Sequence, residues 1–241
     1  MKITTLEHLN SFIKKAGQYF RYADVKAFLI SQNTKVSDST LQTYLSREIA
    51  KKNIFSAGKG WYSKQEKEFR LNVEPIQKII GLIKQKFPLL EISCWSTEQI
   101  NSFTHHMLGK HITFIYVDID AVNSVHEFLL DNGYNSYDNP TKKETQKHFR
   151  ATNNTVVLRA SIAKQPEDLS GASSVEKLLV DLIFENRKLH IMPEDEIENI
   201  FESILKYERI NVSTLFSYAK RREMDIQEIK KFRIFNLSGN P

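Results

Sequence analysis

The sequence predicts an α+β protein, with an N-terminal winged helix-turn-helix followed by a mixed α/β domain that has a helical C-terminal part. Three observations predict it. A helix with a polar, acid-free face leads into a short hairpin with a Gly-Lys-Gly tip before residue 64. Strands and helices alternate between residues 75 and 161, and from Ser174 onward the apolar spacing is helical. The expected domains are a winged helix-turn-helix over 1–70, a mixed α/β domain over 74–165, and a helical region over 170–241 packing on the second.

Residues 6–16 form an amphipathic helix with Leu6, Leu9, Phe12 and Ile13 on one side. Residues 22–30 give the first helix of the helix-turn-helix pair, and 31–35 the turn. Ser37 or Asp38 then caps a second helix, in which Leu41, Tyr44, Leu45 and Ile49 recur on one face. The opposite face carries Thr40, Gln42, Thr43, Ser46, Arg47 and Ala50, small or hydrogen-bonding residues without an acid. Such a face suits the major groove: small residues allow close approach, Gln and Arg read base edges, and hydroxyls reach phosphates. Lys51 and Lys52 close the helix where cations suit the macrodipole, and Asn53 breaks it. Ile54-Phe55-Ser56 reads as a strand, Gly58-Lys59-Gly60 as a tight turn and Trp61-Tyr62-Ser63 as the returning strand. Ser39, Thr40, Gln42, Thr43, Ser46, Arg47, Lys51 and Lys59 are therefore the candidate DNA-binding residues.

The competing reading is an ordinary amphipathic helix and hairpin of a small α+β domain. Charge favours DNA. Residues 1–70 hold 13 Lys and Arg against 6 Asp and Glu, a net of +7, while the remaining 171 residues hold 21 against 23, a net of −2. The excess positive charge thus coincides with the helix-turn-helix, as phosphate neutralisation requires. The 41% hydrophobic content, with only 8 Gly and 6 Pro, predicts a chain folded nearly throughout. No apolar run is long enough to span a bilayer and the start lacks a signal-peptide core, so a soluble, cytoplasmic protein with no membrane partner is expected. The single cysteine, Cys94, excludes an internal disulfide or a cysteine zinc cluster, and its apolar context makes it a small core residue.

Residues 64–74 are highly charged and read as a connector. Pro75 opens a helix over 75–87 with Ile76, Ile79, Ile80 and Ile83 on one stripe, and Pro88 stops it. Strands are expected over 90–95, 111–118, 134–137 and 155–161, and helices over 97–103 and 121–132, the latter ending at Gly133. Residues 138–148 form a polar, lysine-rich loop. Beyond it, helices are expected from Ser174 and over 194–207, 212–222 and 225–235, with Asn211 as a cap.

Catalytic signatures are weak. Asp118 and Asp120 form a D-x-D at a strand end, the kind of pair that holds a divalent metal for nucleotidyl transfer, but the lead-in lacks the loop such enzymes use. We read the pair as a strand end and helix cap. His105, His106 and His111 lack an acidic or cysteine partner at helical spacing and read as a polar loop. Glu176 and Lys177 are adjacent, which points them to different sides of a helix, while Asp181 pairs with Lys177 one turn on. No catalytic residue, metal or cofactor is expected. The alternative is a metal-dependent nucleotidyltransferase or nuclease fused to a winged helix.

Three stretches resemble the AbiEi-type antitoxins of bacterial type IV (abortive infection) toxin–antitoxin systems. They are T-L-Q-T-Y-L-S-R through G-K-G-W-Y-S, C-W-S-T-E-Q-I-N-S-F-T at 94–104 with the strand that follows, and S-V-E-K-L-L-V-D-L at 174–182. The resemblance implies a transcription regulator that represses its own operon at inverted repeats in double-stranded DNA. It also implies a C-terminal domain that counteracts a cognate nucleotidyltransferase toxin. The resemblance singles out the recognition-helix face, Lys59, and Glu176, Lys177 and Asp181. On this reading residues 1–70 fold alone and bind DNA.

Overall fold

The computed structural model describes residues 4–141, 144, 149–162, 165–166 and 170–230, which combine helices with two separate sheets. They form two compact units. One comprises the residues up to Phe69, Glu202–Ser217 and those from Asp225 on; the other comprises Arg70–Phe201 and Tyr218–Met224.

In the first unit, helix α1 (Thr5–Lys15) starts at a capping box: the Thr4 hydroxyl accepts from the Glu7 N–H, and the Glu7 carboxylate accepts from the Thr4 N–H. Strand β1 (Tyr19–Arg21) and helices α2 (Tyr22–Ser31) and α3 (Asp38–Ala50) follow, then strands β2 (Phe55–Ser56) and β3 (Trp61–Ser63). Ser37 is the cap of α3, accepting from the Thr40 N–H. Helix α3 ends earlier than Asn53: Lys51 is the C-cap and Lys52 takes the left-handed conformation, φ +59°, so that Asn53 N–H reaches back to Glu48 O. Strand β3 lies between β1 and β2, antiparallel to both. β1 was not expected, because three residues between two helices are too few to show alternation.

The core of this unit joins Leu9, Phe20, Val25 and Leu29 to Leu41, Leu45 and Ile54. Phe20 is its aromatic centre, with Phe12 edge-on at 5.5 Å and Tyr62 stacked at 5.6 Å. The buried residues of α3 recur at Leu41, Leu45 and Glu48, which turns the opposite face outward.

Residues 206–216 complete the unit. Tyr19 Oη donates to Glu208 O and accepts from the Ile210 N–H. Arg209 N–H donates to Lys67 O, Phe69 N–H donates to Arg209 O, and the Arg209 guanidinium donates to the carbonyls of Gln65 and Glu66. The stretch expected as a connector is therefore held along 65–69 by backbone and side-chain bonds to Arg209, 140 to 144 positions later in the chain.

In the second unit, helix α4 (Glu74–Lys86) has Pro75 in its first turn. After it come strand β4 (Ser93–Ser96), a 3-10 segment (Thr97–Phe103), strand β5 (Ile112–Val117), a 3-10 turn (Ile119–Ala121), helix α5 (Val122–Asp131), and strands β6 (Asn135–Asp138) and β7 (Thr155–Ala160). The sheet order is β4-β5-β7-β6. β5, β7 and β6 are mutually parallel and β4 is antiparallel to β5, which makes the sheet mixed. Ile76, Ile79, Ile80 and Ile83 of α4 join Val122, Val125 and Leu129 of α5 over Ile115, Val117, Val156 and Leu158. The 97–103 segment is a 3-10 helix capped by Ser96, with Gln99 closing the capping box.

Helix α6 (Val175–Leu189) is capped by Ser174, where a helix was expected to open, and its buried positions go almost round the helix. Helices α7 (Glu194–Tyr207), α8 (Val212–Arg221) and α9 (Ile226–Lys230) complete the described chain. Asn211 accepts from the Thr214 N–H at the start of α8, as a cap does. Of the helix expected over 225–235, residues 231–235 lie outside the described residues, as do 142–143 and 145–148 of the polar loop. Among the described residues no helix is long and apolar enough to cross a membrane.

Candidate functional site

The outward face of α3 is the first candidate. Ser39, Thr40, Gln42, Thr43, Ser46, Arg47 and Lys51 are all exposed, and so is Lys59 at the hairpin tip. Neither acid of α3 lies on this face. Glu48 is 3% exposed and points inward, where Asn53 Nδ2 donates to it at 2.6 Å and Lys51 at 2.9 Å. Burial works against its ionisation, but the bonds from Asn53 and Lys51 prevail and hold its carboxyl below the usual range. Asp38 turns toward α2, where Lys26 Nζ and Tyr22 Oη both donate to its Oδ1 at 2.8 Å. The bond from Lys26, then that from Tyr22, lowers the Asp38 pKa. Burial and the same carboxylate raise Tyr22 to about 12. These bonds fix the first turn of α3 against α2.

The eight residues are not equivalent. Lys51 is engaged by Glu48, the Thr43 hydroxyl donates to Ser39 O, and the Thr40 hydroxyl lies 2.8 Å from Ser37 Oγ. Among the described residues the side chains of Gln42, Ser46, Arg47 and Lys59 make no hydrogen bond or ion pair. The Lys59 backbone does: its N–H donates to Ser213 Oγ at 3.0 Å. Gly58 beside it has φ +99°, and Trp61 packs on Phe216 with ring centroids 5.6 Å apart. The tip is thus seated on the start of α8, a contact that no pattern within residues 1–70 announces.

The second candidate lies in the other unit, around the three residues at 176–181. Lys177 and Asp181, both fully buried, pair at 2.5 Å one turn apart on α6, as their spacing predicts. Tyr218 Oη donates to Asp181 Oδ1 at 2.9 Å, and Lys177 Nζ sits 3.3 Å above the Tyr116 ring. One turn further, Glu185 takes a bidentate bond from Arg159 of β7, with Nη2 at 2.6 Å from Oε2. Arg159 also donates to Asn139 Oδ1 and Pro140 O, just past β6. Arg222 adds its guanidinium, with Nε 3.3 Å from Asp181 and Nη2 3.7 Å from Glu185. Burial, followed by the charges of Asp181 and Glu185, raises Tyr116 far above its ordinary value, and burial, then the charge and hydrogen bond of Asp181, raises Tyr218. Asp181 was expected to pair with Lys177; Glu185, Arg159 and Arg222 were not foreseen, because they come from three separated parts of the chain. Glu176 is also buried, 8% exposed.

The remaining chemical candidates resolve differently. Asp118 and Asp120 are exposed, and Asp118 Oδ1 accepts from the Asp120 N–H, capping the turn that follows β5. His105 and His106 do have an acidic partner, from α7: Glu196 accepts from the His105 N–H and lies 2.8 Å from His106 Nδ1. The bond to His106 outweighs burial and, with the amides of His105 and His106, lowers the Glu196 pKa. Among the described residues no three His, Cys, Asp or Glu side chains come together as metal ligands. Cys94 is buried and burial pushes its thiol up, which suits a core residue.

Residues 40–237 match DUF6577, a family of unknown function, and the chain belongs to that family. No curated protein matches it.

Proposed function

We propose that this member of DUF6577 is a DNA-binding, antitoxin-like transcription regulator whose N-terminal unit is a winged helix-turn-helix. Helix α3 is its recognition helix and the β2–β3 hairpin its wing. The observation that carries the reading is the outward face of α3: seven exposed polar or cationic residues, with Glu48 buried and Asp38 paired to Lys26. At 13 residues α3 is about 20 Å long, enough to lie in a major groove and reach several base pairs. The net charge of +7 over residues 1–70 supplies phosphate attraction, and the wing adds Lys59.

On this reading Gln42 and Arg47 contact base edges in an operator of inverted repeats. Ser39, Thr40, Thr43, Ser46, Lys51 and Lys59 position the backbone. The resemblance to AbiEi-type antitoxins extends the proposal: the protein represses its own operon, and its second unit counteracts a nucleotidyltransferase toxin encoded alongside. The enzymatic alternative, a metal-dependent nucleotidyltransferase or nuclease, would need Asp118 and Asp120 as metal ligands. Asp118 is instead engaged as a cap.

The test is binding of the full chain to duplexes covering its own promoter, measured as a function of salt. Affinity should fall steeply as salt rises, because each phosphate neutralised adds about 0.9 to the log–log slope. Salt-independent binding, or none, would remove the DNA reading.

A further inference from the structure

Helices α1 and α2 run in opposite directions. His8 Nδ1 lies 2.7 Å from Thr34 Oγ1, just past the end of α2, and the Phe12 and Phe28 rings meet midway with centroids 5.4 Å apart. Between the helices a groove of about 420 Å³ is lined by Glu7, His8, Ser11 and Lys15 of α1 and by Phe28 and Gln32 of α2 and its C-cap. That volume is in the range of small-ligand sites, about 300–1,000 Å³. Helical spacing makes the lining: Glu7, Ser11 and Lys15 stand on successive turns of one face, and Phe28 and Gln32 are one turn apart.

The groove is charged at its ends and mixed in its middle. At one end Glu7 Oε2 accepts from the Thr4 N–H, and among the described residues its other carboxylate oxygen makes no hydrogen bond. At the opposite end Lys15 is exposed, and among the described residues its ammonium has no hydrogen bond or ion pair. Lys64 adds a second cation there, although its Nζ donates to the carbonyls of Lys14 and Ala16. The acid one turn before Phe28, Asp24, is engaged by the Arg21 guanidinium. Between the ends lie the half-buried Phe28 ring, the Ser11 hydroxyl and the Gln32 carboxamide, whose Nε2 donates to Ser31 Oγ at 3.3 Å.

We propose that this groove binds a short zwitterionic peptide with an aromatic centre, its amine toward Glu7, its carboxylate toward Lys15 and its ring on Phe28. Glu7 and Lys15 are about 12 Å apart along the axis of α1. An extended peptide of about three residues spans about 10 Å, and the two side chains cover the difference. A single amino acid carries its charges too close together to reach both ends. A hydrocarbon would leave Ser11 and Gln32 without partners, whereas peptide amides supply a donor and an acceptor at each residue. The inference does not rest on DNA binding, since none of the residues assigned to DNA lines the groove.

The test is calorimetric titration of the full chain with glycyl-phenylalanyl-glycine, its C-terminal amide, its N-acetyl derivative and triglycine, at low ionic strength. The parent peptide should bind saturably and raise the melting temperature. The amide and the N-acetyl form should each bind about two- to fivefold more weakly, the worth of one exposed ion pair. Triglycine should bind about tenfold more weakly or worse, because it buries no ring on Phe28. Lys15→Gln, at an exposed position, should keep the wild-type melting temperature and bind the acid and the amide equally. Absence of saturable binding by the parent peptide, or equal affinity for triglycine or the N-acetyl form, would overturn the proposal. So would a Lys15→Gln variant that still prefers the free carboxylate.

Discussion

The backbone N–H of Lys59 donates to the Ser213 hydroxyl across 154 positions of sequence, and so joins the tip of the β2–β3 hairpin to the first turn of α8. Ser213 Oγ in turn donates to Asn211 Oδ1, which also accepts from the Thr214 N–H. The hairpin is therefore held at its tip by residues more than 150 positions later in the chain.

Gly58→Ala tests that seat. A Cβ at Gly58 would lie 2.1 Å from Asn211 Oδ1 and 2.3 Å from Ser213 Oγ, at φ +99°. At Gly60, φ +74°, a Cβ meets nothing within 4 Å. Gly60→Ala should cost about 1 kcal/mol from backbone strain alone, and Gly58→Ala about 2 kcal/mol or more. Denaturant unfolding of the two variants measures the difference. Equal losses would mean that the tip is not seated on Asn211 and Ser213.

The isolated fragment 1–70 should be much less stable than the same residues in the full chain. It loses both hydrogen bonds of Tyr19 Oη, the Arg209 bonds to Gln65 and Glu66, and the Arg209 guanidinium over the Phe55 ring. Net losses of about 3 kcal/mol would lower the melting temperature by roughly 12–24 °C. Circular dichroism melting of the fragment beside the full chain checks this. A cooperative transition at the full-chain temperature would contradict it, and would restore the self-sufficiency expected from the sequence.

Much of the fold is legible in sequence because it rests on local signals. The caps at Ser37, Ser96 and Asn211 and the apolar stripes of α3 and α4 each lie within a few residues of what they determine. β1 is not legible, since a three-residue strand exists only through its pairing with β3. The same limit applies to the sites. The outward face of α3 follows from one helical period, whereas Glu185 has to meet Arg159 and Arg222 from positions 26 and 37 residues away. The bond between Lys51, at the end of α3, and the buried Glu48 is likewise not announced by the outward periodicity of the helix.

Lys177→Met should destabilise the second unit by about 3–5 kcal/mol. It leaves the buried Asp181 carboxylate without the ammonium at 2.5 Å. Tyr218→Phe, which removes one bond to the same carboxylate, should cost about 1.5–3 kcal/mol. Thermal unfolding of both variants gives the order. A larger loss in Tyr218→Phe than in Lys177→Met would show that the pair does not anchor the cluster.

Asp118→Asn combined with Asp120→Asn should change stability by about 1 kcal/mol or less, since Asn serves as a helix cap nearly as well as Asp. Manganese titration of the wild type and the double variant should give the same result. Metal binding that disappears with the two carboxylates would favour the enzymatic alternative.

Discrimination by the α3 face tests the account most directly. The full chain is presented with a duplex selected from a randomised pool and with a scrambled duplex of equal length, and both affinities are measured by fluorescence anisotropy at fixed salt. Arg47→Ala and Gln42→Ala should each weaken binding to the selected duplex by about 1–3 kcal/mol more than to the scrambled one. Lys59→Ala should weaken both equally, as loss of a phosphate contact does. Equal losses on the two duplexes for Arg47→Ala and Gln42→Ala, or no loss at all, would contradict the assignment of α3 as the helix that reads DNA.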